Sequence, residues 1–249
     1  MQQKEWKQER QKNIRQALTD LETNLGVAKG EYTEEEVPAV LNDVKAESKK
    51  LDQNLSTLLD FRNLETGGEY LAVSEFNFVD LAKEVYDHYE QASLDKKIRY
   101  SFNADADSII MVSDKNKLCR ILHHLLSNAF KNSSIKGKIE LNIKHDNSKV
   151  QIELADTGRG IPEEEKPHIF KRFFQSQEQF MHTGSGIGLT LVWKYVKMHK
   201  GTITFRENDP RGTVFSVVLP LVTDTKNEDS IIEDLTHGNI FDIKHNAEV

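Results

Sequence analysis

Asp156-Thr-Gly-Arg-Gly-Ile-Pro162 follows the apolar run Ile152-Glu-Leu-Ala155, and Gly184-Ser-Gly-Ile-Gly-Leu189 leads into a second apolar run that reaches His199. The first stretch reads as a carboxylate set at the end of a strand by a tight turn. Gly158 and Gly160 give that turn its φ freedom and let backbone approach a ligand closely. Pro162 keeps the chain from re-entering a strand. A partly buried carboxylate of fixed direction can accept the exocyclic amine of adenine and so select it over guanine. A plain Asp-Gly turn is the blander reading of the same residues. In the second stretch Gly184, Gly186 and Gly188 precede a helix, with Ser185, Ile187 and Leu189 between and after them. Backbone N–H groups at a helix start bind phosphate through oriented donors and the positive end of the dipole. No strand ends at Gly184, and no Lys-Ser/Thr pair follows the last glycine. The dinucleotide fingerprint and the Walker loop are both excluded.

Upstream lies Leu125-Leu-Ser-Asn128-Ala-Phe-Lys131. Asn128 and Lys131 are three apart on one helix face. The amide oxygen of Asn128 suits Mg²⁺, a hard cation that keeps waters and phosphate oxygens as its other ligands. Lys131 can neutralise a phosphate. A solvated polar face would account for either residue alone. The three segments stand in order, about 28 residues apart. In that order they resemble the N, G1 and G2 boxes of the ATP-binding domain shared by sensor histidine kinases, the ninety-kilodalton heat-shock chaperones, type II topoisomerases and mismatch-repair ATPases. The resemblance implies the Bergerat fold, an α/β sandwich with a mixed sheet, and ATP with Mg²⁺ as its cofactors. Residue patterning gives the same α+β class, a mixed sheet of about five main strands with helices on one face,. Strands are expected at 75–78, 98–102, 109–112, 139–143, 150–154, 202–205 and 213–219,. Helices are expected over 81–92, with Leu81, Val85 and His88 on one face, from the Asp114 cap through Ala129, and over 187–199,. Ile161 belongs to the G1 box.

Between Gly160 and Gly184, residues 163–183 are polar with the apolar anchors Ile169, Phe170, Phe173 and Phe174. That is too long for a simple connection, and such loops are usually lids. Phe170-Lys-Arg-Phe173 resembles the family's lid box. Closure would dock Phe170 and Phe173 while Arg172 or Lys171 approaches the phosphates. Gly212-Thr213-Val-Phe215 resembles a late family element in which Thr213 holds the adenine end. Many family members carry a second Asn where this chain has His124. His123 and His124 are therefore candidates for metal binding or proton handling, and an ordinary surface-and-core pair on a helix is the blander alternative.

The N-terminal part carries a different periodicity. Ile14, Leu18, Leu21 and Leu25, then Val37, Leu41, Val44, Leu51, Leu55 and Leu58, recur at heptad spacing,. They predict an antiparallel helical hairpin, with Thr33 and Glu36 as a capping box. Each helix offers only a narrow apolar stripe, so a four-helix bundle formed by two copies is expected, and a hairpin folded back on its own C-terminal domain is the alternative. The ending Leu58-Leu-Asp-Phe-Arg-Asn-Leu-Glu65 resembles the dimerisation hairpin of sensor kinases. Counting back to the family's phosphoacceptor box lands on Lys12-Asn-Ile-Arg-Gln-Ala-Leu-Thr19, with Lys12 in place of the nucleophilic histidine. The first histidine of the chain is His88. A protonated lysine is a poor nucleophile, so histidyl autophosphorylation of this chain is not expected.

The 249 residues divide on this reading into a hairpin (1–67), an ATP-binding domain (68–221) and an acidic tail (222–249). The tail holds seven acids and two lysines,. A formal net charge of −7 gives no footprint for nucleic acid,. No apolar run approaches the length of a membrane span, and Cys119 alone makes no disulfide,. A cytoplasmic location is expected. The resemblance implies a sensor histidine kinase core transferring the γ-phosphoryl in trans. Its expected partners are a homodimer or heterodimer mate, and a partner histidine or a response-regulator receiver domain. An ATP-binding pseudokinase that biases a partner kinase, and an anti-sigma-type Ser/Thr kinase, stay open.

Overall fold

The computed structural model describes residues 70–176 and 186–223, together with Val44, Ser48, Leu59 and Arg62, which are helical. The chain divides into two compact units, Met1–Arg62 and Asn63–Val249. Apart from those four residues, the predicted hairpin with Lys12 lies outside the described residues, as do Gly184, Ser185 and residues 224–249 of the tail.

The second unit is built on a five-stranded mixed sheet. Its strands are β2 (Arg99–Ala104), β4 (Lys138–His145), β5 (Lys149–Asp156), β6 (Thr202–Glu207) and β7 (Thr213–Pro220), in the order β2-β4-β5-β7-β6. Only β2 and β4 are parallel. A small antiparallel pair, β1 (Ser74–Asn77) with β3 (Ile110–Ser113), stands beside it. Period-2 alternation sets the faces. Ile139, Leu141 and Ile143 of β4, Val150, Ile152 and Leu154 of β5, and Val217 and Leu219 of β7 are buried. The opposite face is polar, with Gln151 donating to Ser216 across β5 and β7 at 3.2 Å. The apolar face packs against α3 (Lys115–Asn132) and α4 (Gly188–Met198), which bring Leu118, Ile121, Leu125, Leu191, Val192 and Tyr195 into the core. Burying one such side chain stabilises by about 1.5–3 kcal/mol. Among the described residues no helix is long and apolar enough to cross a membrane.

Two expected boundaries move. The strand expected at 75–78 ends at Asn77, and Phe78 starts a helix, α1 (Phe78–His88). Asn77 is the reason: its Oδ1 accepts the N–H of Val79 at 3.1 Å as an N-cap and that of Ile109 at 3.0 Å,. The helix expected to run to Ala92 breaks at Tyr89, and α2 (Glu90–Asp95) follows. His88, expected on the apolar face, is exposed. After β7 the chain continues onto β3: Val222 bridges Val112, and Thr223 and Ser113 share a buried hydroxyl bond of 2.9 Å.

Asp114 fixes the start of α3. Its carboxylate accepts from Lys117 N at 3.0 Å, Ala72 N at 2.9 Å and Lys117 Nζ at 3.0 Å, while Lys117 Nζ also donates to the Tyr70 carbonyl at 3.0 Å. Burial would raise its pKa, but these hydrogen bonds and the ammonium hold it below the ordinary carboxylate value,. A lowered folded pKa means stability that is present above the unfolded pKa and lost as pH falls through the folded one. Asp114→Ala is expected to cost about 3 kcal/mol in urea unfolding, because it leaves the Lys117 ammonium buried without its counter-ion. Asp114→Asn should in addition flatten the acid limb of stability against pH.

Candidate nucleotide-binding site

The register of the sheet places the site. Asp156 is the last residue of β5 and pairs with Ile139 on one side and Thr213 on the other. The chain then turns away, and the Asp156 carboxylate is left at the sheet's end, only 4% exposed. Its Oδ1 accepts the Gly158 N–H at 2.8 Å. Burial pushes its pKa up against the lowering effect of the Gly158 and Thr213 backbone hydrogen bonds, and burial wins,.

Close backbone approach explains two of the glycines. A Cβ on Gly158 would lie 2.6 Å from the Asn132 carbonyl oxygen and 2.8 Å from Asp156 Oδ1. Gly212, at φ +122°, would place a Cβ 1.9 Å from the Asp156 carbonyl oxygen. The carbonyl of Asp156 also accepts Asn208 Nδ2 at 2.8 Å. The turn is thus wedged between the end of α3 and the approach to β7.

Beside it opens a cleft. Asn128 and Asn132 line it from α3. Asp156, Arg159, Gly160 and Ile161 come from β5 and its turn, Leu189 from α4, and Thr213 and Phe215 from β7. Glu165, Ile169, Phe174, Gln175 and Ser176 close it from the following loop. Apolar walls from Ile161, Ile169, Leu189 and Phe215 with one buried carboxylate suit a flat heteroaromatic ring bearing an amine. Asn128 adds one hard oxygen, the kind of single protein ligand that a hydrated Mg²⁺ accepts.

Six of the residues expected to bind nucleotide therefore line one cleft, Asn128, Asp156, Gly160, Ile161, Leu189 and Thr213, and the loop anchors Ile169 and Phe174 line it too. Gly158 supports it from behind. Others do not line it. Phe170 is buried in the core, 6.1 Å from the Phe205 ring, and its carbonyl accepts Thr190 Oγ1 at 3.0 Å. Phe173 is 38% exposed and Arg172 is exposed, and Phe174 takes the cleft wall that the sequence reading gave to Phe173. Gly186 lies against the Phe173 backbone, whose N–H donates to the Gly186 carbonyl at 3.0 Å. Ile187, buried, leads into Gly188 at the start of α4. His124 packs there, its Nδ1 3.3 Å from where a Gly188 Cβ would stand. Burial, with Arg120 and His123 beside it, lowers its pKa to about 4. A base that weak is poorly matched to proton transfer near neutral pH. Lys131 stands outside the lining. Burial, then the nearby Arg159, lower its pKa.

Arg159, Glu165 and Ser176 were not foreseen as site residues. Arg159 donates to Ser176 Oγ at 2.9 Å and to Glu165 Oε2 at 3.1 Å, and Ser176 Oγ donates to Glu165. The charged residue between the two glycines of Asp-Thr-Gly-Arg-Gly was the available signal.

A strand-end carboxylate, a glycine turn against a helix bearing two asparagines, and a loop lining an apolar cleft are the features of an ATPase-type nucleotide domain. Comparison with known proteins agrees. Residues 113–223 match the family described as histidine kinase-, DNA gyrase B- and HSP90-like ATPase. Histidine kinase P4 of Formosa agariphila is 34% identical over 197 residues, which is 77% of this chain and 14% of that protein. The catalytic domain of histidine kinase ThkA superposes with a TM-score of 0.55 at 30% identity, over 60% of this chain and 98% of that domain. Full-length ShkA in complex with AMPPNP shares the fold at 21% identity, with a TM-score of 0.61 over 78% of this chain and 41% of its own. The chain belongs to the histidine kinases and carries their ATP-binding domain. It spans a small fraction, 14%, of the length of its first curated relatives.

Gly158→Ala should disrupt the cleft, because the new methyl meets the Asn132 backbone rather than a side chain that can move aside. The expected result is a ~10-fold or greater loss of nucleotide affinity by calorimetric titration.

Proposed function

We propose that this chain binds Mg²⁺-ATP as the catalytic domain of a two-component sensor kinase and that phosphoryl transfer, where it occurs, goes to a histidine on a partner. The observation that carries the reading is the shared cleft: a buried carboxylate, apolar walls and Asn128 line one space. Asp156 would accept the adenine amine, and Thr213 would support that end. Asn128 would hold the cation. The metal supplies charge neutralisation of the phosphates, and catalysis in such transfers is mostly positioning and electrostatics. Lys131 and Arg159 add positive charge on the α3 side. The loop from Glu163 onward would exclude water. The curated relatives are far longer than this chain, and the partners follow from the class: a second kinase chain through residues 1–67, and a response-regulator receiver domain or a partner histidine. A cytoplasmic location goes with this reading.

A second reading is favoured by Lys12, which stands at the nucleophile position of the resembling segment. In that case the domain binds ATP and regulates a partner kinase without transferring phosphate. An anti-sigma-type Ser/Thr kinase is less well supported, because the heptad pattern of residues 14–58 has the form of a dimerisation hairpin.

The test is incubation with Mg²⁺ and γ-labelled ATP, run beside calorimetric titration. Saturable ATP binding without acid-labile label on the chain is expected. Asp156→Asn should weaken binding ~10-fold or more, since the lost acceptor bore charge and the new amide turns a donor toward a donor. Because burial raises the Asp156 pKa, affinity should begin to fall at a higher pH on acidification than for an ordinary carboxylate. Acid-labile label on this chain, absent from Asp156→Asn, would sink the claim that Lys12 makes the hairpin inert. Undiminished binding by Asp156→Asn would sink the nucleotide site itself.

A further inference from the structure

Asn132 is the last residue of α3 and lies one turn beyond Asn128. Its Nδ2 donates to the Asn128 backbone oxygen at 2.8 Å and to the Asn128 side-chain Oδ1 at 3.0 Å. Both residues line the cleft. This arrangement has a chemical consequence. A carboxamide presents an acceptor on one side and two donors on the other, and a half-turn about its last bond exchanges them. Only the oxygen can ligate a hard divalent cation. With Asn132 in place, one Asn128 orientation makes a hydrogen bond and the other sets N–H against N–H. The oxygen keeps a second lone pair for a ligand in the cleft. Asn132 is itself held in place: its carbonyl oxygen lies against Gly158, 2.6 Å from where a Cβ would stand. The end of α3 also carries the partial negative charge of a helix C-terminus, which favours a cation there.

We propose that Asn132 is a positioning residue: it holds the Asn128 carboxamide with its oxygen available to the cleft, presetting it as ligand for the divalent cation that accompanies a nucleoside triphosphate. This rests on the Mg²⁺-ATP reading above. Such support of a ligand by a neighbouring donor commonly changes metal affinity by about 10-fold or more.

The experiment is calorimetric titration of the full chain with ATP, once in excess Mg²⁺ and once in EDTA, for the wild type, Asn132→Ala and Asn132→Gln. The readout is the gain in affinity that Mg²⁺ confers. Asn132→Ala should lose about 10-fold of that gain, so that its affinity falls further in excess Mg²⁺ than in EDTA. Asn132→Gln, which keeps a donor amide, should retain most of the gain. An undiminished gain in Asn132→Ala overturns the proposal. So does an equal loss with and without Mg²⁺, which would make the residue merely structural. A wild type that binds ATP with no Mg²⁺ gain overturns both this inference and the metal part of the functional reading. A wild type that gains while Asn132→Ala gains equally overturns this inference alone.

Discussion

A carboxylate sealed at the end of a central strand is the constraint on which the site depends. Asp156 is paired on both sides by neighbouring strands and has almost no contact with water. Burying an ionisable group is costly unless it is hydrogen-bonded. The Gly158 N–H meets that need, and the Gly158 and Gly212 backbones come close enough that neither position has room for a side chain. The turn cannot therefore be relaxed without uncovering the carboxylate. From this follow the contact of the turn with α3, the placement of Asn128 and Asn132 opposite Asp156, and the cleft between them.

The fold was legible where periodicity and capping agreed. The alternation in 139–143 and 150–154 fixed two central strands, and the 3.6-residue rhythm of α3 and its Asp114 cap fixed the helix that packs on them. The miss at 75–78 is instructive. Glu75-Phe-Asn-Phe alternates as a strand should, yet Asn77 is also an N-cap, and the cap's two hydrogen bonds decided where the helix began. The break at Tyr89 had no local signal. Tyr89 is held by tertiary contacts, stacking on Phe130 and donating to the His123 carbonyl, which no window of neighbouring residues contains.

The site was legible as motifs and less so as surfaces. Gly and Asp positions announce themselves, because backbone conformation constrains residue type there. Lining residues such as Glu165 and Ser176 do not, since a polar residue in a loop looks the same whether it faces solvent or ligand. Phe173 and Phe174 show the same limit. Two adjacent phenylalanines cannot be assigned to the outside and the cleft without the backbone, and Phe173, at φ +61°, takes a conformation unusual for a bulky residue,.

The electrostatics of the cleft have a direction of their own. Lys131 is half-buried, and its pKa is lowered first by burial and then by Arg159. Glu165 offsets the Arg159 charge through their ion pair. An anion entering beside α3 would relieve the mutual repulsion of Lys131 and Arg159. The same anion would compete with Glu165 for the guanidinium, and Glu165 is bonded to Ser176 farther along the same loop. Arg159 is thus the one group that such an anion and the Glu165–Ser176 contact would share. Arg159 stands between the two glycines that also shape the turn around Asp156. The buried carboxylate, the glycine N–H that satisfies it and the arginine that reaches the following loop therefore stand within five consecutive residues, Asp156 to Gly160. That is the physical reason so short a stretch of sequence could announce the domain.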